Sequence, residues 1–392
     1  MGTVNITLAN GGLGATLQTS DGITGLVLTG TATDSYALST PILITSLGSL
    51  AGYAITNDNN SFAFRQVREY YNEAGDGAQL YLMLVSAETT VAQMADKDNA
   101  DGAKKLLEFA HGKIKLLGIM TDDVAVEAAT TTISTTEGIN DDVHTAASNM
   151  VVMAQGYFSR HQPFRAIIGG TSYTGTPASL RDVLAGTTNN RTAILVGDTQ
   201  SGRAASLGLL LGRLSAVPVM RKVSRVRTGP LSNSTAFIST TAVEEDAVQL
   251  PVIASKGYIT WCTYPNVSGY YFSGDDTCSA TTDDYHFVAR GRVIDKAHTL
   301  AYATFVQEVD DEVPVNKDGT LDAGFCQWLS RQIINQVNNA MTVNKEISSV
   351  DCYIDPAQNI LSTNRLKVIL RIVPVGYASN IEISLGFDNP AL

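Results

Sequence analysis

Residues 61–85 read SFAFRQVREYYNEAGDGAQLYLMLV. Two periods meet inside this stretch. In its first half Ala63, Val67, Tyr70, Tyr71 and Ala74 recur at three- and four-residue spacing, which places them on one face of a helix. Asn60 or Ser61 stands where an N-cap belongs, and Gly75 and Gly77 stop the helix. The second half, QLYLMLV, is a short run of almost unbroken apolar residues. A strand that is apolar on both faces must be covered on both faces, as in a parallel sheet layered with helices. A helix joined through a glycine turn to such a strand is the repeating unit of an α/β protein.

The same unit recurs on either side. Upstream lie the β-prone GITGLVLTGTA and PILITSLGSLAGY. Downstream come helix NADGAKKLLEFAH, strand IKLLGIM, a long helix from Asp141 through Phe158, and strand FRAIIGG. Helix PASLRDVL, strand TAILVGD and helix GRAASLGLLLGRL complete the run. Residues from about 23 to 220 therefore read as one α/β layer structure. Past RKVSRVRTGP the regularity fades into strand, loop, strand and helix, with a further helix in DAGFCQWLSRQIINQVNNAM, an α+β pattern. At both ends the period changes to two. Val4, Ile6 and Leu8 alternate with Thr3, Asn5 and Thr7. Near the other end 366–373 reads as a strand, and after a break at Pro374–Gly376, Ile381, Ile383, Leu385 and Phe387 alternate with Glu382, Ser384 and Gly386. The expected organisation is an N-terminal strand arm (1–22), an α/β domain (23–280), an α+β domain (281–365) and a C-terminal strand arm (366–392).

Composition narrows the function. Of 392 residues only 17% are charged, below the usual ~25%. Thr, Ser, Asn and Gly fill the deficit, which suits a surface with neighbours. A net charge of −11 argues against general nucleic-acid binding, which needs a basic footprint. Cys262, Cys278, Cys326 and Cys352 form no CxxC pair, so metal or redox use is not expected and a reducing compartment is. The sequence opens without a charged-then-apolar leader, and its longest apolar runs, such as LGLLLG, are too short to span a bilayer. Assembly in a cytoplasm, without membrane insertion, is the expectation.

Motifs for chemistry fall short. VGDTQSGRAAS has Gly197 and Gly202 at phosphate-loop spacing, but Arg203 and Ala204 stand where Lys and Ser/Thr are needed. In GGTSYTG, Ser172 follows Gly170, yet Thr174 occupies the second glycine position of a nucleophile elbow. His111, His144, His161, His286 and His298 are scattered, none with a ligand-like partner at i+3 or i+4. The pairs Asp122–Asp123, Asp141–Asp142, Asp275–Asp276, Asp283–Asp284 and Asp310–Asp311 read as turn formers and helix caps. No catalytic residue, cofactor site or metal site is expected. Basic residues gather at Arg213, Arg221, Lys222, Arg225 and Arg227, and acids at Glu244 to Asp246 and at Glu308, Asp310, Asp311 and Glu312. Arg221, Lys222, Arg225, Arg227, Glu308, Asp310 and Asp311 are candidates for complementary contacts between identical subunits.

The order of segments resembles that of contractile tail sheath proteins. FRQVREYYNEAGDGAQLYLMLV is similar to the family's helix, glycine turn and strand. GYYFSGDDTCSATTDDYHFVARGRVIDKAHTLAYATFV resembles its later block, and DCYIDPAQN followed by LKVILRIVPVGYASNIEISLGF its C-terminal end. The likeness lies in block order and apolar pattern over nearly the whole chain. It implies a subtilisin-like central domain without a working triad, and a structural role rather than an enzymatic one. It also implies hexameric rings stacked in a helical polymer around a tail tube protein, with baseplate and tail terminator proteins as further partners, in a virion tail or tail-like injection particle. The apolar strands at Val4, Ile6, Leu8 and at Ile381, Ile383, Leu385, Phe387 would be arms completing small sheets in neighbouring subunits, which agrees with their independent reading as donated strands. Burying the four C-terminal side chains yields about 6–12 kcal/mol gross. Ordering 381–387 costs about 10 kcal/mol. One arm is marginal, and many arms in a lattice are not. Gly11, Gly12 and Gly14 in ANGGLG, and Pro374 and Gly376 in PVGYASN, would be the hinges on which rigid bodies move. Two other readings stand beside this one: a hydrolase on a subtilisin-like or other doubly wound sheet, and a non-contractile self-assembling tube or layer protein.

Overall fold

The computed structural model describes residues 20–130, 132–185, 188–379 and 381–386. The N-terminal strand with Val4, Ile6 and Leu8, the glycines Gly11, Gly12 and Gly14, and Phe387 lie outside them. The chain divides into two compact units, the first ending at Val306 and the second beginning at Gln307.

The first unit is built on a six-stranded sheet. Strands β1 (Thr24–Thr29), β2 (Ile42–Ile44), β3 (Leu80–Val85), β4 (Leu116–Met120), β5 (Arg165–Gly169) and β6 (Thr192–Leu195) lie in the order β2-β3-β1-β4-β5-β6. Only β2 runs antiparallel to its neighbour. Leu26 of β1 stands opposite Leu82 of β3 on one side and Gly118 of β4 on the other. Every residue of the five parallel strands is buried, which is why they read as unbroken apolar runs.

The covering helices are α1 (Ser61–Ala74), α2 (Ala103–Phe109), α3 (Asp123–Ala129), α4 (Asp141–Ser159), α5 (Leu207–Ala216) and α6 (Val288–Phe305). α1 and α5 cross at backbone contact. A methyl group on Gly208 would overlap the Gln66 carbonyl oxygen, and one on Gly212 the Tyr70 carbonyl oxygen. Gln66 then serves as a clamp, accepting from Gly208 N–H at 2.7 Å and donating to the Ala205 carbonyl at 3.0 Å.

Three sequence expectations need correction. PASLRDVL is not a helix but one 3-10 turn, Pro177–Ser179, followed by extended backbone at Leu180. The Val183 N–H goes to the Lys256 carbonyl at 3.0 Å, and Leu180 and Val183 are buried in the core, so packing replaces the helical ladder. The helix expected from Gly202 begins at Leu207, because the preceding turn is held by Ser206: its N–H donates to the Gly197 carbonyl and its hydroxyl accepts from Thr199 N–H. Asn60 occupies the N-cap position of α1 without capping it; its amide makes two bonds to the backbone of Thr31, at 2.7 and 3.1 Å.

Past the β6 edge of the sheet, where Ile259 bridges Leu195 in parallel, β7 (Trp261–Tyr264) and β8 (Val267–Phe272) form a hairpin with Trp261 stacked on Phe272. α6 is pinned to the sheet by charge. Arg165 of β5 grips Asp295 through two nitrogens at 2.6 and 3.1 Å, and Arg191 reaches the same carboxylate at 3.2 Å. Gly291 leaves room for the Arg165 guanidinium, which also donates to its carbonyl. The second unit holds α7 (Ala323–Val337), capped by Asp322 through the Phe325 N–H, and an antiparallel pair, β9 (Ile347–Tyr353) and β10 (Ile369–Pro374).

Candidate functional site

The β9–β10 pair has two chemically different faces. Val350, Cys352, Leu370 and Ile372 lie on one, where Cys352 is buried and lines a groove of about 330 Å³ with Cys326, Ser330 and Arg331 of α7. On the other, Tyr353 stands opposite Ile369, Asp351 opposite Arg371 and Ser349 opposite Val373. Tyr353, Ile369 and Val373 are 51%, 46% and 53% exposed. A two-stranded sheet is marginal by itself and gains stability from added strands. Strand pairs with apolar groups on an open face are templates for augmentation.

The described part of the expected second C-terminal strand, 381–386, forms no ladder with other described residues. Residues 381–386 have no regular secondary structure, and Ile381, Ile383 and Leu385 are 76%, 76% and 92% exposed. A strand needs a partner for its N–H and C=O groups, and none is supplied here by the described residues of the same chain. Pro374 closes β10, and a side chain on Gly376 would meet open space. The unit thus presents a short sheet with an apolar open face and an exposed segment of alternating apolar side chains.

The basic cluster separates on folding. Arg213 is buried in an ion pair with Glu73 at 2.6 Å. Lys222 faces inward, 3.5 Å from Asp275 and over the Phe287 ring at 3.3 Å. Asp275, read from sequence as a turn residue, is fully buried; burial pushes its carboxyl up and Lys222 opposes that shift. Arg227 is exposed and Arg221 and Arg225 are partly so. In the second unit Asp310 and Asp311 are exposed and Glu308 is partly buried.

The hydrolase reading meets its strongest candidate at Ser172. It sits just past β5 with φ +54°, a conformation uncommon outside glycine. Its hydroxyl donates to Asp123 and accepts from Arg203 Nε at 3.0 Å. Asp123 also accepts from Thr121 and Asn140. Arg203 is held on both nitrogens by Glu127, and that hydrogen bonding draws the Glu127 carboxyl down to about 2. The Ser172 hydroxyl is thus fixed between a guanidinium and a carboxylate that has other donors. The phosphate-like turn is likewise engaged internally: Asp198 takes Arg65 of α1, Thr199 N–H and the Ser206 hydroxyl. Of the scattered histidines, His161 and His298 meet, 137 positions apart, a pairing that local spacing could not reveal. Among the described residues no group of three or more His, Cys, Asp or Glu is placed to hold a metal, and no helix is long and apolar enough to cross a membrane.

This fold occurs in known assemblies. Over 99% of this chain and 100% of the other, it superposes on a chain of the anti-feeding prophage baseplate, 6-fold symmetrised, with TM-score 0.64 and 12% identity. A chain of the anti-feeding prophage helical sheath in its contracted state matches over 98% of this chain and 99% of that one, with TM-score 0.61 and 13% identity. A chain of the PVC sheath complex, from an extracellular contractile injection system in the contracted state, matches over 100% and 99%, with TM-score 0.61 and 12% identity. No curated protein sequence matches. At the level of sequence families, DUF2586, N-terminal domain, matches residues 1–276 and DUF2586, C-terminal domain, matches 284–392. With both domains accounted for along nearly its full length, the chain belongs to the DUF2586 family and has the fold found in contractile sheath assemblies.

Proposed function

We propose that this protein is the structural subunit of a contractile sheath, polymerising as stacked hexameric rings around a tail tube and contracting to drive that tube through a target envelope. The observation that carries the reading is the agreement with chains from contracted sheath assemblies, which spans both units and covers 98% and 100% of this chain and 99% of each of those. The open β9–β10 face gives the subunits a means to join. In this reading the segment containing Ile381, Ile383, Leu385 and Phe387 pairs with the small sheet of a neighbouring copy, and the strand with Val4, Ile6 and Leu8 does the same. Alternate apolar side chains bury against Tyr353, Ile369 and Val373 while the ladder satisfies backbone groups. Gly11, Gly12, Gly14, Pro374 and Gly376 are the joints that let arms stay paired while the α/β bodies move. Baseplate and terminator proteins would cap the polymer. The particle, a phage tail or a tail-like injection device, would assemble in the bacterial cytoplasm.

The test is negative-stain microscopy of the purified protein, alone and with the small β-rich tube protein expected to be encoded beside a sheath. Full-length protein should give hollow tubes. A variant lacking 381–392 should remain a folded, soluble monomer and give none, because the parallel sheet and its helices are complete without that segment. Tubes of normal appearance from the truncated chain would rule out the donated-strand mechanism, and no ordered polymer from the full chain with its tube would count against the sheath role itself.

A further inference from the structure

His161 and His298 come together on the first unit, and we propose that they form a binding site for one divalent transition-metal ion of the nitrogen-preferring kind, such as Zn²⁺ or Cu²⁺, clipping the end of α4 to α6. His161 Nδ1 and His298 Nε2 lie 3.0 Å apart. Two imidazole nitrogens bound to one ion at 2.0–2.1 Å are separated by about 2.9 Å at a right angle and about 3.3 Å at the tetrahedral angle. The pair already has that spacing. The ring of His161 is exposed, so a small rotation turns its lone pair toward an ion arriving from solvent.

Both rings are held rather than loose. His161 stacks on Tyr302 at 4.0 Å with 14° between planes, and His298 packs edge-on against Phe158 at 4.2 Å. The backbone adds an independent observation. His161 follows the end of α4 with φ +59°, its N–H donating to the Phe158 carbonyl, a helix-terminating position where glycine or asparagine is the cheaper residue. The remaining ligands would be water, because Asp295, one turn before His298, is engaged by Arg165 and Arg191.

The charges around the pair set its limits. Burial and the neighbours His161, Arg191 and Lys115 lower the affinity of His298 for a proton, while Asp295 acts in the opposite direction. The neutral ring is the form that ligates. The same cations weaken attraction for a divalent ion. When the ion enters, the proton shared between the two nitrogens moves to the other nitrogen of its ring, or leaves to solvent if that ring was charged.

Calorimetric titration of the metal-stripped full chain with ZnCl₂ and with CuCl₂ decides the matter. One ion per chain should bind at micromolar concentration, copper more tightly than zinc. His161→Asn, chosen because asparagine accepts a positive φ, and His298→Gln should each weaken it roughly tenfold or more. His111→Asn, an exposed histidine elsewhere, should leave it unchanged. Circular dichroism checks that each variant is folded; if His298→Gln is not, His161→Asn decides alone. Binding only at millimolar metal, or micromolar binding that survives His161→Asn, overturns the proposal.

Discussion

Glu69 lies in the middle of α1, inside the stretch that reveals the fold, and is 5% exposed. Its near partner Arg65 gives its shorter contact to Asp198 and is 3.4 Å from Glu69, while the Thr199 hydroxyl donates to Glu69. Burial pushes the Glu69 carboxyl up to about 7; Arg65 resists and Asp198 adds to the rise. In the unfolded chain the same group titrates near 4.5. Between those values the folded state holds the extra proton, so the stability that protonated Glu69 contributes is full below about 4.5 and is lost as pH rises through about 7. The slope from one group is at most about 1.4 kcal/mol per pH unit. Glu69→Gln should flatten the decline in stability between pH 5 and 7.5, measured by urea unfolding at several pH values. A variant profile parallel to the wild type would mean that Glu69 is ionised throughout.

At the scale of elements, the crossing of α1 over α5 rests on missing side chains. Glycine in a helix interior costs up to about 1 kcal/mol relative to alanine, yet Gly208 and Gly212 face the backbone of α1 so closely that a methyl group has no room. Overpacking costs about 1–3 kcal/mol and exceeds the helix-propensity gain. Gly208→Ala should therefore destabilise the protein by about 1–3 kcal/mol. Gly156 on α4 is the control: it is exposed, and a methyl group there would meet open space. Gly156→Ala should stabilise by about 0.5–1 kcal/mol. Equal effects of the two substitutions in denaturant titrations would show that propensity, not packing, governs the crossing. From sequence LGLLLG is only an apolar run; its glycines acquire meaning when the second helix is placed against them.

At the scale of the whole molecule, a chain of net charge −11 would, in the proposed polymer, meet its own copies against repulsion, and the partly exposed Arg225 and exposed Arg227 are candidates to relieve it. Single exposed ion pairs contribute only about 0–1 kcal/mol, but a lattice repeats each contact. Arg225→Glu with Arg227→Glu should slow assembly, followed by light scattering, and Asp310→Lys with Asp311→Lys should restore part of it. Lys222 is left out of the test because it holds Asp275 inside the first unit. The defect should shrink as salt is raised, since screening weakens exposed charge contacts. Unaltered assembly at low salt would remove this segment from the interface.

The sequence by itself determined the layered α/β architecture, because a strand buried on both faces and a helix buried on one leave unmistakable periods, as in Leu80–Val85 after Ser61–Ala74. It also exposed the alternating apolar pattern of 381–387, which is a local property of the chain. Tertiary structure alone decided the rest. PASLRDVL has helical spacing, but its Val183 N–H finds the Lys256 carbonyl instead. Asp275 reads as a turn former and Lys222 as a candidate contact between subunits, yet they are interior partners, and Ser172, without the second glycine of an elbow, still adopts a left-handed turn to meet Asp123 and Arg203. Periodicity records which face of an element is buried. It carries no information about which distant residue waits on the other side, and hydrogen bonds and ion pairs between such residues form only after the layers have closed.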